Sequence, residues 1–308
     1  MTLNAPTEAE ARTYGEQFVD AVSKSETSRA SVMIDWDTLL DRATAGTDGE
    51  ERSRKAFIRG AKQSAETTYM QQLAMLVAQG GQLALLRIRG DEHERRALLR
   101  MITPNNGVTY NDMLLTKDAT GIVRAVDIYS YASGEYVSAP VRRMYMQAVA
   151  SEPTLMGKLA GKKNEMVSKA LMFQDMTQKT LSGQYQEVVD LFKRMSPDMQ
   201  HEKNVLVAYV SASAHLGEEQ YTAAMDELRK AFPNDPGIDL MLVDGFILRK
   251  RYDEAIQAID RIDKSLGGDP YLDVLRANIY FAKGDTRAAR SSAKRAQERE
   301  PSLARWMR

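Results

Sequence analysis

Residues 235–268 read DPGIDLMLVDGFILRKRYDEAIQAIDRIDKSLGG, and residues 269–302 read DPYLDVLRANIYFAKGDTRAARSSAKRAQEREPS. A shift of 34 lays Asp235-Pro236 on Asp269-Pro270, Asp239 on Asp273, Phe246 on Tyr280, Ala255 on Ala289 and Ile262 on Ala296. Each block opens with Asp-Pro. Apolar residues then recur at helical spacing. Self-similarity at this period marks stacked helical hairpins, because one hairpin alone cannot bury its apolar face. A shift of 31 places Tyr221-Thr222-Ala223-Ala224 on Tyr252-Asp253-Glu254-Ala255, and moving 36 back from Tyr221 reaches Tyr185. Three good units and one degenerate unit are thus expected over 164–301, with 302–308 as a ragged cap.

These units resemble the tetratricopeptide repeat. The last one carries Ala277, Tyr280, Gly284-Asp285, Ala289, Ala296 and Pro301 at the family's offsets. It departs at Asp273 and Arg276, where the family has an aromatic and a leucine, and the earlier units depart at Asp175, Lys179 and His215. The resemblance implies recognition and no chemistry, on a concave groove lined by the first helix of each hairpin. By the family's offsets the groove residues are Tyr209 and Ser213, with Leu206 and Leu216 beside them, then Leu240, Asp244 and Ile247, then Tyr271, Val274, Asn278 and Phe281. The family's clamp for a carboxylate-ended tail needs Lys, Arg and Asn, and Tyr209, Leu240 and Val274 exclude it. A groove of Leu, Ile, Val, Tyr and Phe suits an apolar strand or helix. The expected function is a non-enzymatic scaffold for a protein or peptide partner, a second copy of the chain included.

Upstream the hydrophobic period changes twice. Tyr14, Phe18, Ala21 and Val22 form one helical stripe, Trp36, Leu39, Leu40 and Ala43 a second, and Phe57, Ala61, Ala65, Tyr69, Leu73, Leu76 and Val77 a third that stops at Gly80-Gly81. Period two follows, with strands expected at 82–89 (Ala84, Leu86 and Ile88 on one face), 95–102 (Ala97, Leu99, Met101), 108–116 (Val108, Tyr110, Leu114) and 122–131 (Ile122, Val126, Ile128). Helices covering one face of an antiparallel meander make an α+β domain, expected over 1–151, ahead of an all-α helical-hairpin solenoid over 152–308. Tyr110-Asn111-Asp112-Met113-Leu114-Leu115 and Gly121-Ile122-Val123-Arg124-Ala125-Val126-Asp127-Ile128, in this order of elements, resemble the nuclear transport factor 2-like (cystatin-like) cone fold. That resemblance implies a pocket, for which Tyr14, Trp36, Tyr110, Asp112, Asp127 and Tyr129 are the candidates. The alternative reading is a small-ligand or isomerase/hydrolase pocket there, with an Asp as general base beside tyrosine hydroxyls and the repeats as recruitment or dimerisation module.

Composition narrows the rest. The 308 residues hold 42 Lys+Arg against 42 Asp+Glu, three histidines and no cysteine. Disulfides, thiolate metal sites and cysteine nucleophiles are excluded, and no phosphate-loop, dinucleotide, HExxH or EF-hand motif occurs, so no metal and no cofactor are expected. Zero net charge argues against nucleic acid, and the basic segment Lys283–Arg308 reads as a solvated helix face. The longest uncharged run, Thr67–Leu86, carries four Gln and Gly80-Gly81, so no membrane span is expected. No secretory signal is visible, and a cytoplasmic location is the expectation.

Overall fold

Thr7 and Glu10 form a reciprocal capping box, the Thr7 hydroxyl accepting from the Glu10 N–H while the Glu10 carboxylate accepts from the Thr7 N–H, and so start helix α1 (Glu8–Ser23). A short α2 (Thr27–Ser31) precedes α3 (Trp36–Thr44), whose cap Asp35 accepts from the Thr38 N–H at 3.0 Å. Helix α4 (Glu51–Ala78) ends ahead of Gly80, φ +98°, a left-handed position suited to glycine. The computed structural model describes residues 4–46, 51–150 and 162–306, with 150 and 162–170 by backbone alone, and divides the chain into two units, Met1–Tyr145 and Met146–Arg308. The sequence boundary at 151/152 lies outside the described residues.

In the first unit five antiparallel strands follow one another in the order β1-β2-β3-β4-β5: β1 (Gln82–Gly90), β2 (Arg95–Ile102), β3 (Val108–Lys117), β4 (Val123–Ser130) and β5 (Glu135–Tyr136). The first two helical stripes are buried throughout and, with Leu73 of α4, meet Ala97, Leu99, Met101, Met113, Leu115, Ala125 and Ile128 in one core. Gly15 lets α1 lie close on β1, since a Cβ there would stand 2.8 Å from Leu85 Cδ1. Two expected faces are wrong because the ladder is irregular. A bulge between Leu85 and Arg87 brings Leu83, Leu85 and Ile88 to the core in place of the set Ala84, Leu86, Ile88. A second, at Leu114/Leu115, sets Ala125 with Ile128 and leaves Ile122 exposed. Val108, Tyr110 and Leu114 lie on the sheet face away from this core, where Leu98 and Ile102 are also buried.

Helix α5 (Ser138–Ala150) follows β5. The second unit is then helical: α6 (Lys162–Leu181), α7 (Tyr185–Arg194), a single turn α8 (Pro197–Gln200), α9 (Lys203–Ser213), α10 (Glu218–Ala231), α11 (Pro236–Leu248), α12 (Tyr252–Leu266), α13 (Pro270–Lys283) and α14 (Thr286–Arg299). Four hairpins result, α6–α7, α9–α10, α11–α12 and α13–α14. Each turns at a positive-φ residue, Gly183 (+73°), Gly217 (+130°), Lys250 (+58°) and Gly284 (+90°). Three close alike: the N–H of the next residue donates back five residues, Gln184 to Lys179, Arg251 to Phe246 and Asp285 to Tyr280.

The turns are 34, 33 and 34 residues apart, which corrects the spacings of 36 and 31 read from the tyrosines. Tyr185 and Tyr252 open their helices, whereas Tyr221 sits one turn inside α10. There its ring packs on Gly245 of α11, where an added Cβ would meet the Tyr221 hydroxyl at 2.3 Å. Successive hairpins touch through α7 and α9, α10 and α11, and α12 and α13. Of the expected cap 302–308, the described part lies in a 3-10 turn, Pro301–Trp306, that buries Leu303 and sets Trp306 edge-on to Tyr271 at 6.4 Å between ring centres.

Candidate functional site

Counting back from the four turn residues places equivalent positions of the first helices side by side. Six residues before each turn stand Thr177, Ser211, Asp244 and Asn278. All four are exposed, a polar row with one member per hairpin. Three residues before the turns stand Thr180, Ala214, Ile247 and Phe281, and two before stand Leu181, His215, Leu248 and Ala282. Among these, Leu181, Leu248 and Phe281 are 84%, 79% and 71% exposed, large apolar side chains left in water. Ten before the turns, Phe173, Val207 and Leu240 are half-buried and Val274 is buried.

Sequence reasoning brought five of its nine groove residues to this face: Leu240, Asp244, Ile247, Asn278 and Phe281. The other four are interior. Tyr209 stacks on Phe192, ring centres 4.0 Å apart, while Ser213 and Val274 are enclosed and Tyr271 lies against Trp306. The second hairpin was displaced because its register was taken from Tyr221. Leu206 is buried and Leu216 half-buried, whereas Ser211 and Ala214 hold the exposed positions. Thr177, Ser211, Leu181 and Leu248 were missed. The signal that finds them is the glycine ending the first helix, Gly183, Gly217 and Gly284, with Lys250 adopting the same backbone.

The Asp244 side chain makes no hydrogen bond and no ion pair among the described residues. The nearby Arg249 guanidinium lies over the Tyr221 ring at 3.7 Å, and burial pushes the Tyr221 phenol above its ordinary pKa against the pull of Arg249. His215 stacks flat on Tyr185, 3.9 Å between ring centres. The carboxylates Asp239 and Asp273 are turned inward instead. Asp239 accepts from Arg261 Nε at 2.9 Å, and Asp273 from Arg276, Arg295 and Arg299 at 3.1, 3.0 and 3.4 Å.

The six candidates for an N-terminal pocket do not converge. Tyr14 and Trp36 belong to the core between helices and sheet, the Tyr14 hydroxyl donating to the Met33 carbonyl at 3.1 Å and the Trp36 N–H to Ser31. Burial, aided by Tyr69, drives the Tyr14 phenol far above its ordinary pKa. Tyr110, Asp112 and Tyr129 share the other sheet face. Burial also raises the Asp112 pKa, against the attraction of Arg89, 3.2 Å away, and of Arg96. Asp127 sits beside the β4 bulge and fixes the start of α5, accepting from the Ser138 hydroxyl at 2.7 Å and lying 3.6 Å from Arg42 Nε. An open cleft of about 340 Å³ between α2 and α4, lined by Thr27, Ser31, Glu66 and Met70 among others, contains none of the six. Among the described residues no group of His, Asp or Glu is placed to hold a metal, and no helix is long and apolar enough to cross a membrane.

Residues 215–279 match the family model described as tetratricopeptide repeat. The match runs from the second hairpin's turn to the middle of α13 and includes Asp244 and Leu248. It covers none of residues 6–151, whose likeness to the nuclear transport factor 2-like fold rests on the sequence pattern alone. No curated protein and no solved structure matches the chain. Repeats of this kind are interaction modules, typically without catalysis. An α+β unit with a five-stranded antiparallel sheet is therefore followed here by a run of helical hairpins that matches the tetratricopeptide repeat model over residues 215–279.

Proposed function

We propose that this chain is a non-catalytic interaction scaffold that holds a peptide or a segment of a partner protein along the exposed face of its first helices. The observation that carries the reading is the periodic face itself. The same offsets from four turns give an exposed polar row flanked by Leu181, Leu248 and Phe281, none of which is used in packing the hairpins. A face kept only for solvation has no use for large apolar side chains, and contiguous exposed apolar surface marks sites of association.

The test is selection of a displayed library of random 12-residue peptides on the full chain. Recovery of peptides that bind the parent and lose binding to the double variant Leu248→Glu/Phe281→Glu, with unchanged circular dichroism, is the expected result. Peptides that bind both proteins equally well would place recognition elsewhere.

A further inference from the structure

Resting on that reading, we infer that the face selects an extended segment that presents a lysine or arginine to Asp244, with apolar side chains to either side of it. The extended form follows from the polar row. Thr177, Ser211, Asp244 and Asn278 offer hydroxyl, carboxylate and carboxamide groups at one per hairpin. A bound helix has already paired its backbone N–H and C=O groups internally, so such a row has nothing to bond on it except side chains. An extended backbone presents N–H and C=O groups at every residue, and these need partners when its flanks are covered.

Charge fixes the chemistry of the central position. Of the side chains ten, six, three and two residues before the four turns, Asp244 carries the one carboxylate, and none is Lys or Arg. Its neighbour Arg249 is occupied by the Tyr221 ring, so the carboxylate faces outward without a counter-ion in the fold. Covering it with a neutral or acidic segment would desolvate the charge without a partner, whereas a cation there gains a charge-assisted hydrogen bond. Leu248 lies one turn along α11 from Asp244, and Phe281 stands one turn beyond Asn278 on α13, so apolar contacts lie on both the same and the next hairpin. The segment chosen is therefore basic at one position, apolar a few residues away, and without acidic residues between.

The experiment uses peptides from the display selection as synthetic fluorescent probes, read by anisotropy on the full chain. Enrichment of Lys or Arg at one fixed position is expected, and replacing that residue by Glu should weaken binding to the parent about three- to tenfold, the range for an exposed ion pair turned repulsive. Asp244→Lys should reverse this preference and select Asp or Glu at the same position. Asp244→Asn should bind the Lys and Glu probes equally. Peptides that need Leu248 and Phe281 yet ignore both Asp244 variants would overturn the charge assignment and leave the scaffold reading standing, as would probes that gain helical circular dichroism on binding for the extended form. Failure to select any peptide that depends on Leu248 and Phe281 would remove both.

Discussion

Gly245 offers a sharp test of the repeat packing, because a helix-interior glycine ordinarily weakens its helix by about 1 kcal/mol relative to alanine. On propensity alone Gly245→Ala should stabilise. The packing predicts the opposite sign. An alanine Cβ would fall 2.3 Å from the Tyr221 hydroxyl and 3.0 Å from two ring carbons, inside the separation real Cβ contacts respect. The ring has little room to yield, being buried between α10 and α11 with the Arg249 guanidinium 3.7 Å from its centre. With an approach of 2.3 Å the overpacking lies in the upper part of its usual range, about 2–3 kcal/mol, so after the propensity gain of about 1 kcal/mol a net loss of about 1–2 kcal/mol remains. For a unit of this size that lowers Tm by about 2–8 °C. The chain has two tryptophans, Trp36 in the first unit and Trp306 in the second. In a Trp36→Phe background, fluorescence therefore reports on the repeat unit alone. Tyr221→Phe removes the closest atom, so the double variant should recover part of the loss, giving a coupling in a double-mutant cycle. A Gly245→Ala protein as stable as its parent, or more so, would refute the close approach of α10 and α11.

Three further outcomes are expected. Arg261→Leu alone strands the buried Asp239 carboxylate and should destabilise by about 3 kcal/mol, whereas Asp239→Leu/Arg261→Leu should lie near the parent, since the preceding hairpin has Leu206 and Leu228 at the equivalent positions; urea midpoints decide. Trp306→Ala should cost about 3–5 kcal/mol and shift the unfolding of α13 and α14 to lower urea, as read by hydrogen exchange. Burial holds the folded-state pKa of Asp112 above its unfolded value of about 3.9, so the folded chain binds that proton more tightly. The stability it adds is full below the unfolded value and is lost as pH rises through the folded one, and Asp112→Asn should remove that part of the pH slope; an unchanged slope in the variant would show that Asp112 does not titrate this way.

Period alone carried most of the fold. The stripes at Tyr14–Val22 and Trp36–Ala43 and the limits of β2 and β3 follow from spacing, because helical and strand periods differ and each face here has one consistent environment. What period cannot carry is phase across an insertion. One extra residue near Leu86 moves every later side chain of β1 to the other face, and no composition change announces it. In the candidate site the second hairpin slips for the same reason at a larger scale. Tyr221 resembles Tyr252 in type but serves a different contact, so aligning the two slipped the second hairpin and pulled Tyr209 and Ser213 out of the core on paper. The invariant landmark was the backbone: a helix that must reverse within three residues needs a left-handed position, and glycine supplies it at three of four turns. Lys250 hides the fourth from any search for glycine.

The hairpin α13–α14 is held differently from its neighbours. Helix α12 buries Ala255, Ala258, Ile259, Ile262 and Leu266, whereas α14 buries only Ala289, Ser292 and Ala296. So little apolar area cannot hold a terminal helix by itself. Charge and the tail take over. Asp260 and Asp263 of α12 bind Arg276 of α13, Arg276 binds Asp273, and Asp273 binds Arg295 and Arg299 of α14, a relay across three helices. Leu303 and Trp306 then cover the end of α13. Helix α14 also presents Arg287, Arg290 and Lys294 to solvent. The departures from the repeat pattern at Asp273 and Arg276 are thus where the chain exchanges apolar stacking for ion pairing.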